Sequence, residues 1–108
     1  MLYWLALAGA ITLEIAGTVS MKLSQGFSRP LPSVLLFVFY AMSFALMTIA
    51  VKRIDMSVSY AIWSGVGTAT IALIGVLWFR ETLTPVQVGS IVLIVVGVIG
   101  LRAGAAAP

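Results

Sequence analysis

The sequence predicts an all-α integral membrane protein in which each chain crosses the bilayer four times. Of its 108 residues, 62% are hydrophobic and only 8% are charged. A water-soluble globule of this size needs more polar surface than that composition provides. The hydrophobic residues also form four continuous stretches, each close to the roughly 20 residues that a helix needs to cross a bilayer. These two observations place the chain in a membrane.

The first two spans are bounded by charges and prolines. The first covers residues 2–21 and ends at Lys22. No cationic segment precedes it and no small-residue cleavage site follows it, so we expect a retained helix rather than a signal peptide. The second covers residues 33–51, between Pro32 and Lys52. Prolines and lysines are typical of the ends of membrane helices, so both boundaries are well marked.

The third and fourth spans follow the same rule. The third covers residues 56–79 and ends at Arg80, and the fourth covers residues 85–101 and ends at Arg102. Because the connecting loops hold only a few residues, consecutive helices must be antiparallel neighbours. The prediction is therefore a single four-helix transmembrane domain over residues 1–108.

The composition also excludes several kinds of chemistry. The chain has no cysteine and no histidine, which argues against disulfides and against a transition-metal site. Its net charge of +3 comes from scattered residues without a basic cluster, so we expect no nucleic-acid partner. No glycine-rich phosphate loop is present. We therefore expect neither an enzyme nor a bound cofactor. We expect the lipid bilayer to surround most of the chain.

The six lysine and arginine residues divide evenly between the two sides of the membrane. The side that holds both termini carries Lys52, Arg53 and Arg102, and the opposite side carries Lys22, Arg29 and Arg80. Orientation follows the imbalance of such charges in short loops. A tie predicts insertion both ways round, and hence a dual-topology, antiparallel homodimer with a pseudo-twofold axis in the membrane plane. The alternative is that the amino terminus breaks the tie and fixes one orientation.

Glu14 lies in the middle of the first span. A charge at the centre of a membrane helix costs roughly 2.5–3.5 kcal/mol or more, so such a residue is by default a candidate functional site. Helical periodicity places Tyr3, Gly17 and Thr18 on its face, and Thr18 is one turn away, where it can hydrogen-bond the carboxylate or its ligand. No span contains a basic residue at depth that could neutralise Glu14. A pure packing role would leave the carboxyl without a partner.

Two further stripes of side chains are aromatic or small. Tyr40 and Ser43 share a face of the second span, and Tyr60 and Trp63 share a face of the third. Aromatic faces around a carboxylate suit a lipophilic cation, which gains about 2 kcal/mol of cation–π attraction when it is desolvated. The alternative is that these stripes only pack the bundle.

Three segments resemble the small multidrug resistance family of bacterial exporters: residues 14–18 (EIAGT), 21–29 (MKLSQGFSR) and 60–68 (YAIWSGVGT). The resemblance extends over essentially the whole chain. It implies an antiparallel homodimer in the bacterial inner membrane that exports cationic small molecules in exchange for protons. It also implies that Glu14 is the carboxylate which protons and substrate share.

The resemblance assigns roles to further residues. Those that it places at the substrate are Trp63 and Tyr60 as stacking aromatics, Tyr40 and Ser43 as pocket residues, and either Tyr3 or Trp4 as an aromatic near the start of the first helix. Gly65 and Gly67 flank the position where the third helix is expected to bend. The guanidinium-exporting branch usually has tryptophan where this chain has Gly17, so the match is nearer the quaternary-ammonium, multidrug branch.

The fourth span carries small residues at helical spacings. Gly89, Ser90 and Gly97 would form the helix contact by which the family dimerises. Glycine is also common in membrane helices without any such role.

These observations predict a proton-coupled antiporter for lipophilic or quaternary ammonium cations that works by alternating access. Protons and substrate would compete for Glu14. Three alternatives stay open: a narrow-specificity exporter of guanidinium or polyamines, which could act as a heterodimer; a small channel; and a structural subunit of a larger membrane complex.

Overall fold

The computed structural model describes residues 1–104, which contain four α-helices. They are α1 (Leu2–Leu23), α2 (Pro30–Ala50), α3 (Met56–Leu77) and α4 (Pro85–Gly104). Each helix is long and apolar enough to cross a membrane. The prediction of an all-α membrane protein with four spans is confirmed. Residues 105–108, the end of the predicted domain, lie outside the described part of the chain.

The second helix begins three residues earlier than predicted. We expected Pro30 and Pro32 to precede the helix, but α2 starts at Pro30, with Arg29 in an extended conformation as its N-cap. The first turn of a helix has backbone N–H groups without intrahelical partners, so proline, which has no N–H, fits there without loss. The prolines therefore lie inside the helix start.

Three other helix ends differ from the prediction by two or three residues, and α2 ends at Ala50, one residue earlier than predicted. Helix α1 continues to Leu23, α3 already ends at Leu77, and α4 continues to Gly104. The start of α4 agrees with the prediction and is fixed by a capping box. The Thr84 N–H donates to Gln87 Oε1 (2.8 Å), and the Gln87 N–H donates to Thr84 Oγ1 (3.2 Å). This reciprocal pair satisfies N–H groups that the first turn leaves open.

Two glycines allow α1 and α2 to approach closely. A Cβ atom at Gly9 would lie 2.8 Å from Leu46 Cδ1, and one at Gly17 would lie 2.8 Å from the Tyr40 ring. Both distances are too short for carbon atoms, so larger residues would push the two helices apart. Small residues at such contacts are typical of membrane helix pairs.

The buried core lies at the end of the bundle that holds the N-terminus and the loop between α2 and α3. Its members are apolar side chains of α1, the end of α2, the following loop and the start of α3: Ala6, Leu7, Ile11, Ala50, Ile54 and Val58. The opposite end, where the α1–α2 and α3–α4 loops meet, contains two cavities of about 400 and about 700 Å³. The bundle is thus closed at one end and open at the other.

Helix α4 is attached to the bundle mainly through α3. A Cβ atom at Gly65 would lie 2.5 Å from Val98 Cγ2 and 3.3 Å from Ile94 Cγ2, so the absence of a side chain at Gly65 allows the contact. No residue of α4 is buried within the described part of the chain. Most of this helix therefore presents an uncovered surface.

Candidate functional site

Glu14 lies near the middle of α1, and its two carboxylate oxygens have different surroundings. Thr18, one turn further along α1, donates its hydroxyl to Oε1 over 3.1 Å. Oε2 is buried and has no hydrogen-bond partner among residues 1–104. A buried carboxylate oxygen without a partner is costly and uncommon, so this atom requires an explanation beyond packing.

Tyr40 of α2 joins this hydrogen bond. The Tyr40 and Thr18 hydroxyl oxygens are 2.6 Å apart. A threonine hydroxyl has a single proton, and that of Thr18 is directed to Glu14, so Tyr40 is left as the donor to Thr18. The result is a chain from Tyr40 through Thr18 to Glu14, which links α2 to the carboxylate on α1.

Helix α3 covers the other side of the carboxylate. A Cβ atom at Gly67 would lie 2.8 Å from Glu14 Oε2, so only glycine leaves that oxygen in its place. One turn away, the indole Nε1 of Trp63 is also buried without a hydrogen-bond partner among the described residues. An acceptor and a donor thus both remain unpaired in the same region.

Four aromatic side chains form a continuous series between α2 and α3. Ring centroids are 6.2 Å apart for Tyr40 and Phe44, 6.3 Å for Phe44 and Trp63, and 5.5 Å for Trp63 and Tyr60. The series begins at the tyrosine that is bonded to Thr18 and ends at Tyr60, which is 58% exposed. Aromatic rings at these distances present both faces and edges to a ligand or to lipid.

The cavity of about 400 Å³ lies directly beside Glu14. Its lining comes from α1, α3 and the α3–α4 loop: Glu14, Thr18, Trp63, Ser64, Gly67, Thr68, Ile71, Ala72, Glu81 and Leu83. Three of the predicted substrate residues, Glu14, Thr18 and Trp63, therefore share one cavity. The arrangement can accept a proton or a cation on the unpaired oxygen and an apolar body against the indole.

Other predicted residues take part in packing. The Ser43 hydroxyl is fully buried and donates to the Ala10 carbonyl over 2.6 Å, which joins α2 to α1. Gly17 lies against the Tyr40 ring. Tyr3 and Trp4 pack against the core at the closed end, and the Arg102 guanidinium lies 5.1 Å from the Trp4 ring centroid. Both aromatics are about 15–17 Å along α1 from Glu14, at 1.5 Å per residue.

The predicted hinge and dimer residues are also located. Helix α3 is one continuous helix through Gly65 and Gly67, so a bend there stays a prediction. Gly67 contacts Glu14, and Gly65 contacts α4. Gly89, Ser90 and Gly97 are exposed on α4, and a Cβ atom at either glycine would meet nothing within 4 Å. They are available for a contact outside this chain.

Two residues, one acidic residue of the cavity and one aromatic residue beside Trp63, were not assigned to the site from the sequence. Glu81 lines the cavity together with Glu14. Phe44 connects Tyr40 to Trp63 in the aromatic series. The sequence held one signal for Glu81. Because consecutive helices are antiparallel, the loops after α1 and α3 lie at the same end of the bundle, which brings Glu81 to the end of α1 that follows Glu14. Within residues 1–104, no group of three or more acidic, histidine or cysteine side chains could hold a metal ion.

Comparison with known proteins agrees with this architecture. Residues 2–94 match the family model described as Small Multidrug Resistance protein. The chain is also 49% identical over 99 residues to the uncharacterized membrane protein YvaE of Bacillus subtilis (strain 168); the match covers 92% of this chain and 83% of that protein. The four apolar helices and these similarities identify a multi-pass membrane protein, consistent with a bacterial inner membrane. The chain belongs to the small multidrug resistance family of membrane transporters.

Proposed function

We propose that the chain is a proton-coupled antiporter that exports lipophilic quaternary ammonium cations and that Glu14 binds protons and the cation in turn. One observation carries the proposal: Oε2 of Glu14 is buried and unpaired among residues 1–104, in a cavity that it shares with Trp63. An ionised carboxyl in such surroundings is strongly disfavoured until a positive charge neutralises it. A proton and a cation can each do so, and both need the same oxygen.

The aromatic surroundings favour a cation with an apolar body. Trp63 lines the cavity. The ring centroids of Phe44 and Tyr60 lie 6.3 and 5.5 Å from the ring centroid of Trp63. An aromatic face contributes about 2 kcal/mol to binding of a desolvated cation, in addition to the burial of apolar surface. A strongly hydrated metal ion gains little from such walls. Quaternary ammonium compounds gain from both the carboxylate and the rings.

Competition for one carboxylate is enough to produce exchange. When a proton occupies Glu14 the cation cannot bind, and when the cation occupies it the proton cannot. If the loaded forms change conformation readily and the empty, ionised form does not, each cation that leaves is replaced by protons that enter. The inward proton gradient then drives the cation out of the cell.

An antiparallel homodimer is the assembly that we propose for this exchange. Two features support it. The uncovered surface of α4 carries Gly89, Ser90 and Gly97, where a second helix could approach closely. The bundle is closed at one end and open at the other, with three basic residues at each end. Two such chains in opposite orientation would supply the inverted symmetry that alternating access uses in larger transporters.

Uptake into proteoliposomes tests the function directly. Purified protein is reconstituted, an outward proton gradient is imposed, and uptake of labelled tetraphenylphosphonium is followed. We expect accumulation that stops when the gradient is collapsed and that is absent in Glu14→Gln. Asp55→Asn is the matched control, because it removes a carboxylate from a loop. Conductance without coupled exchange would indicate a channel, and no transport of any cation would indicate a structural subunit.

One observation favours a second candidate substrate. Glu14 and Glu81 both line the cavity, so it could hold a compound with two separated positive charges. A polyamine exporter would fit this pair. Competition decides between the two: a linear polyamine should displace labelled tetraphenylphosphonium with higher affinity than a monoamine of equal length. Equal weak competition by both amines would favour the monovalent, lipophilic substrate.

A further inference from the structure

The open end of the bundle contains a small charged cluster that the proposed exchange does not use. Lys22 Nζ lies 3.9 Å from Glu81 Oε2 and 5.8 Å from the centroid of the Phe79 ring. The two charged side chains are more than half exposed. An exposed ion pair of this kind contributes little to folding stability. The cluster is therefore not required to hold the helices together.

The backbone holds Glu81 in a region of negative electrostatic potential. Arg80 has a left-handed conformation, with φ at 57°, and this turn lets the Glu81 N–H donate to the Gly75 carbonyl over 2.9 Å. A Cβ atom at Gly75 would lie 2.5 Å from Glu81 Oε1, so the glycine makes room for the carboxylate. The carboxylate thus lies against the last turn of α3, where the helix dipole is also negative.

Lys22 supplies the positive charge opposite the Glu81 carboxylate. It lies in the last turn of α1, a second helix end with negative polarity. Its ammonium group lies between a carboxylate and an aromatic ring, which are the two kinds of group that bind a quaternary ammonium compound. Arg80 is exposed and does not line either cavity.

Glu81 connects the cluster to the Glu14 site. The cavity of about 700 Å³ is lined by Lys22, Phe79 and Glu81, and Glu81 also lines the cavity of about 400 Å³ beside Glu14. Thr18 and Ile71 border both cavities as well. A cation held at Glu81 would lie at the boundary between the open end and the buried carboxylate.

We propose that Glu81 and Phe79 form a peripheral binding site for the cationic group of the substrate, and that Lys22 is a tethered competitor which occupies this site until the substrate displaces it. The inference rests on the proposed function, because the substrate it invokes is the same lipophilic cation. The site concentrates cations at the open end and transfers them toward Glu14. Lys22 limits how often the substrate occupies the peripheral site, since its ammonium group must leave before a substrate can bind Glu81.

The association rate of tetraphenylphosphonium with the purified full chain measures this site. Because Lys22 competes with the ligand, Lys22→Gln should raise the rate. Glu81→Gln should lower it, because the attracting carboxylate is lost. Changes on the order of 3- to 10-fold are expected at low ionic strength, and both should shrink as salt is added. Adding Lys22→Gln to Glu81→Gln should leave the association rate of the Glu81→Gln variant unchanged, since the competitor acts only through Glu81.

Matched variants separate this site from general charge effects. Arg29→Gln removes a positive charge from the same end of the bundle, and Asp55→Asn removes a carboxylate from the opposite end. Neither should change the association rate as Lys22→Gln and Glu81→Gln do. Phe79→Leu keeps the carboxylate but removes the ring, and it should also slow association. This variant tests the site independently if Glu81→Gln does not fold.

Two results would overturn the inference. One is a rate for Lys22→Gln equal to that of Arg29→Gln, and the other is acceleration by Lys22→Gln that persists in Glu81→Gln. Wild-type protein that binds no tetraphenylphosphonium at all would instead contradict the proposed function. Binding that requires Glu14 but proceeds at the wild-type rate in the Lys22, Phe79 and Glu81 variants would contradict the peripheral site alone.

Discussion

A single methyl group at Gly67 should weaken cation binding without unfolding the protein. In Gly67→Ala the new carbon would lie 2.8 Å from Glu14 Oε2, whereas ordinary contacts begin at 3.4 Å. The oxygen must therefore move by about 0.6 Å away from the new carbon on α3. The added carbon also lies close to the oxygen that we expect the cation to approach.

The substitution should have opposite effects on helix stability and on cation affinity. Alanine is favoured over glycine inside a helix by about 0.8–1.0 kcal/mol, and the group that must move is the flexible end of a side chain, so the fold should be retained. The loss falls on the site. We expect the Kd for tetraphenylphosphonium to rise at least tenfold, which corresponds to about 1.4 kcal/mol of binding free energy.

Isothermal titration calorimetry on detergent-solubilised protein measures this Kd, and thermal unfolding checks the fold. Gly104→Ala is the matched control, because a Cβ atom there meets nothing within 4 Å. Gly65→Ala should behave differently: its methyl would lie 2.5 Å from Val98 Cγ2, so it should reduce thermal stability. Wild-type affinity in Gly67→Ala, combined with slower transport, would mean that Gly67 is a hinge and that the contact with Glu14 is unimportant.

Three further predictions concern the site and the topology. Glu14→Gln should abolish gradient-driven uptake in proteoliposomes but leave a folded protein by size-exclusion chromatography, while Glu14→Asp should keep transport with a changed pH profile; uptake by the glutamine variant would refute the mechanism. Trp63→Ala should weaken binding of tetraphenylphosphonium more than of tetramethylammonium, because it removes a stacking surface that only the larger ion covers; equal losses in calorimetry would place the pocket elsewhere. Two or three lysines added to the C-terminus should hold that end in the cytoplasm by reporter fusion, and the biased variant should transport only when expressed with one biased the opposite way; full activity alone would exclude an obligate antiparallel pair.

The sequence was sufficient for the four helices and for the hydrogen bond between Thr18 and Glu14. Long apolar runs must form helices in a bilayer because every backbone polar group has to be paired inside the segment. Thr18 follows Glu14 by four residues, so helical spacing alone places its hydroxyl beside the carboxylate. The start of α2 was missed because proline at a boundary is compatible with either side of it.

Contacts between helices were beyond the sequence. Tyr40 and Ser43 share a face of α2, yet Tyr40 reaches Thr18 and Ser43 donates to the Ala10 carbonyl. Periodicity gives the direction of a side chain but not the depth or the partner that it meets. Glu81 is 67 positions from Glu14 in the chain, and only the packing of α3 against α1 brings both to one cavity.

The close contacts on α3 would link the proposed ligand binding at Glu14 to the position of α4. Gly67 touches the Glu14 carboxylate, and Gly65, two residues earlier in the same helical turn, touches Val98 of α4. A ligand that moves the carboxylate therefore acts on a segment that also bears on α4. Thermodynamic reciprocity then applies: if cation binding changes the affinity of α4 for a partner helix, that partner changes the affinity for the cation by the same factor. In that case the measured affinity for a substrate depends on protein concentration in detergent, and affinities of different substrates should be compared at a fixed degree of association.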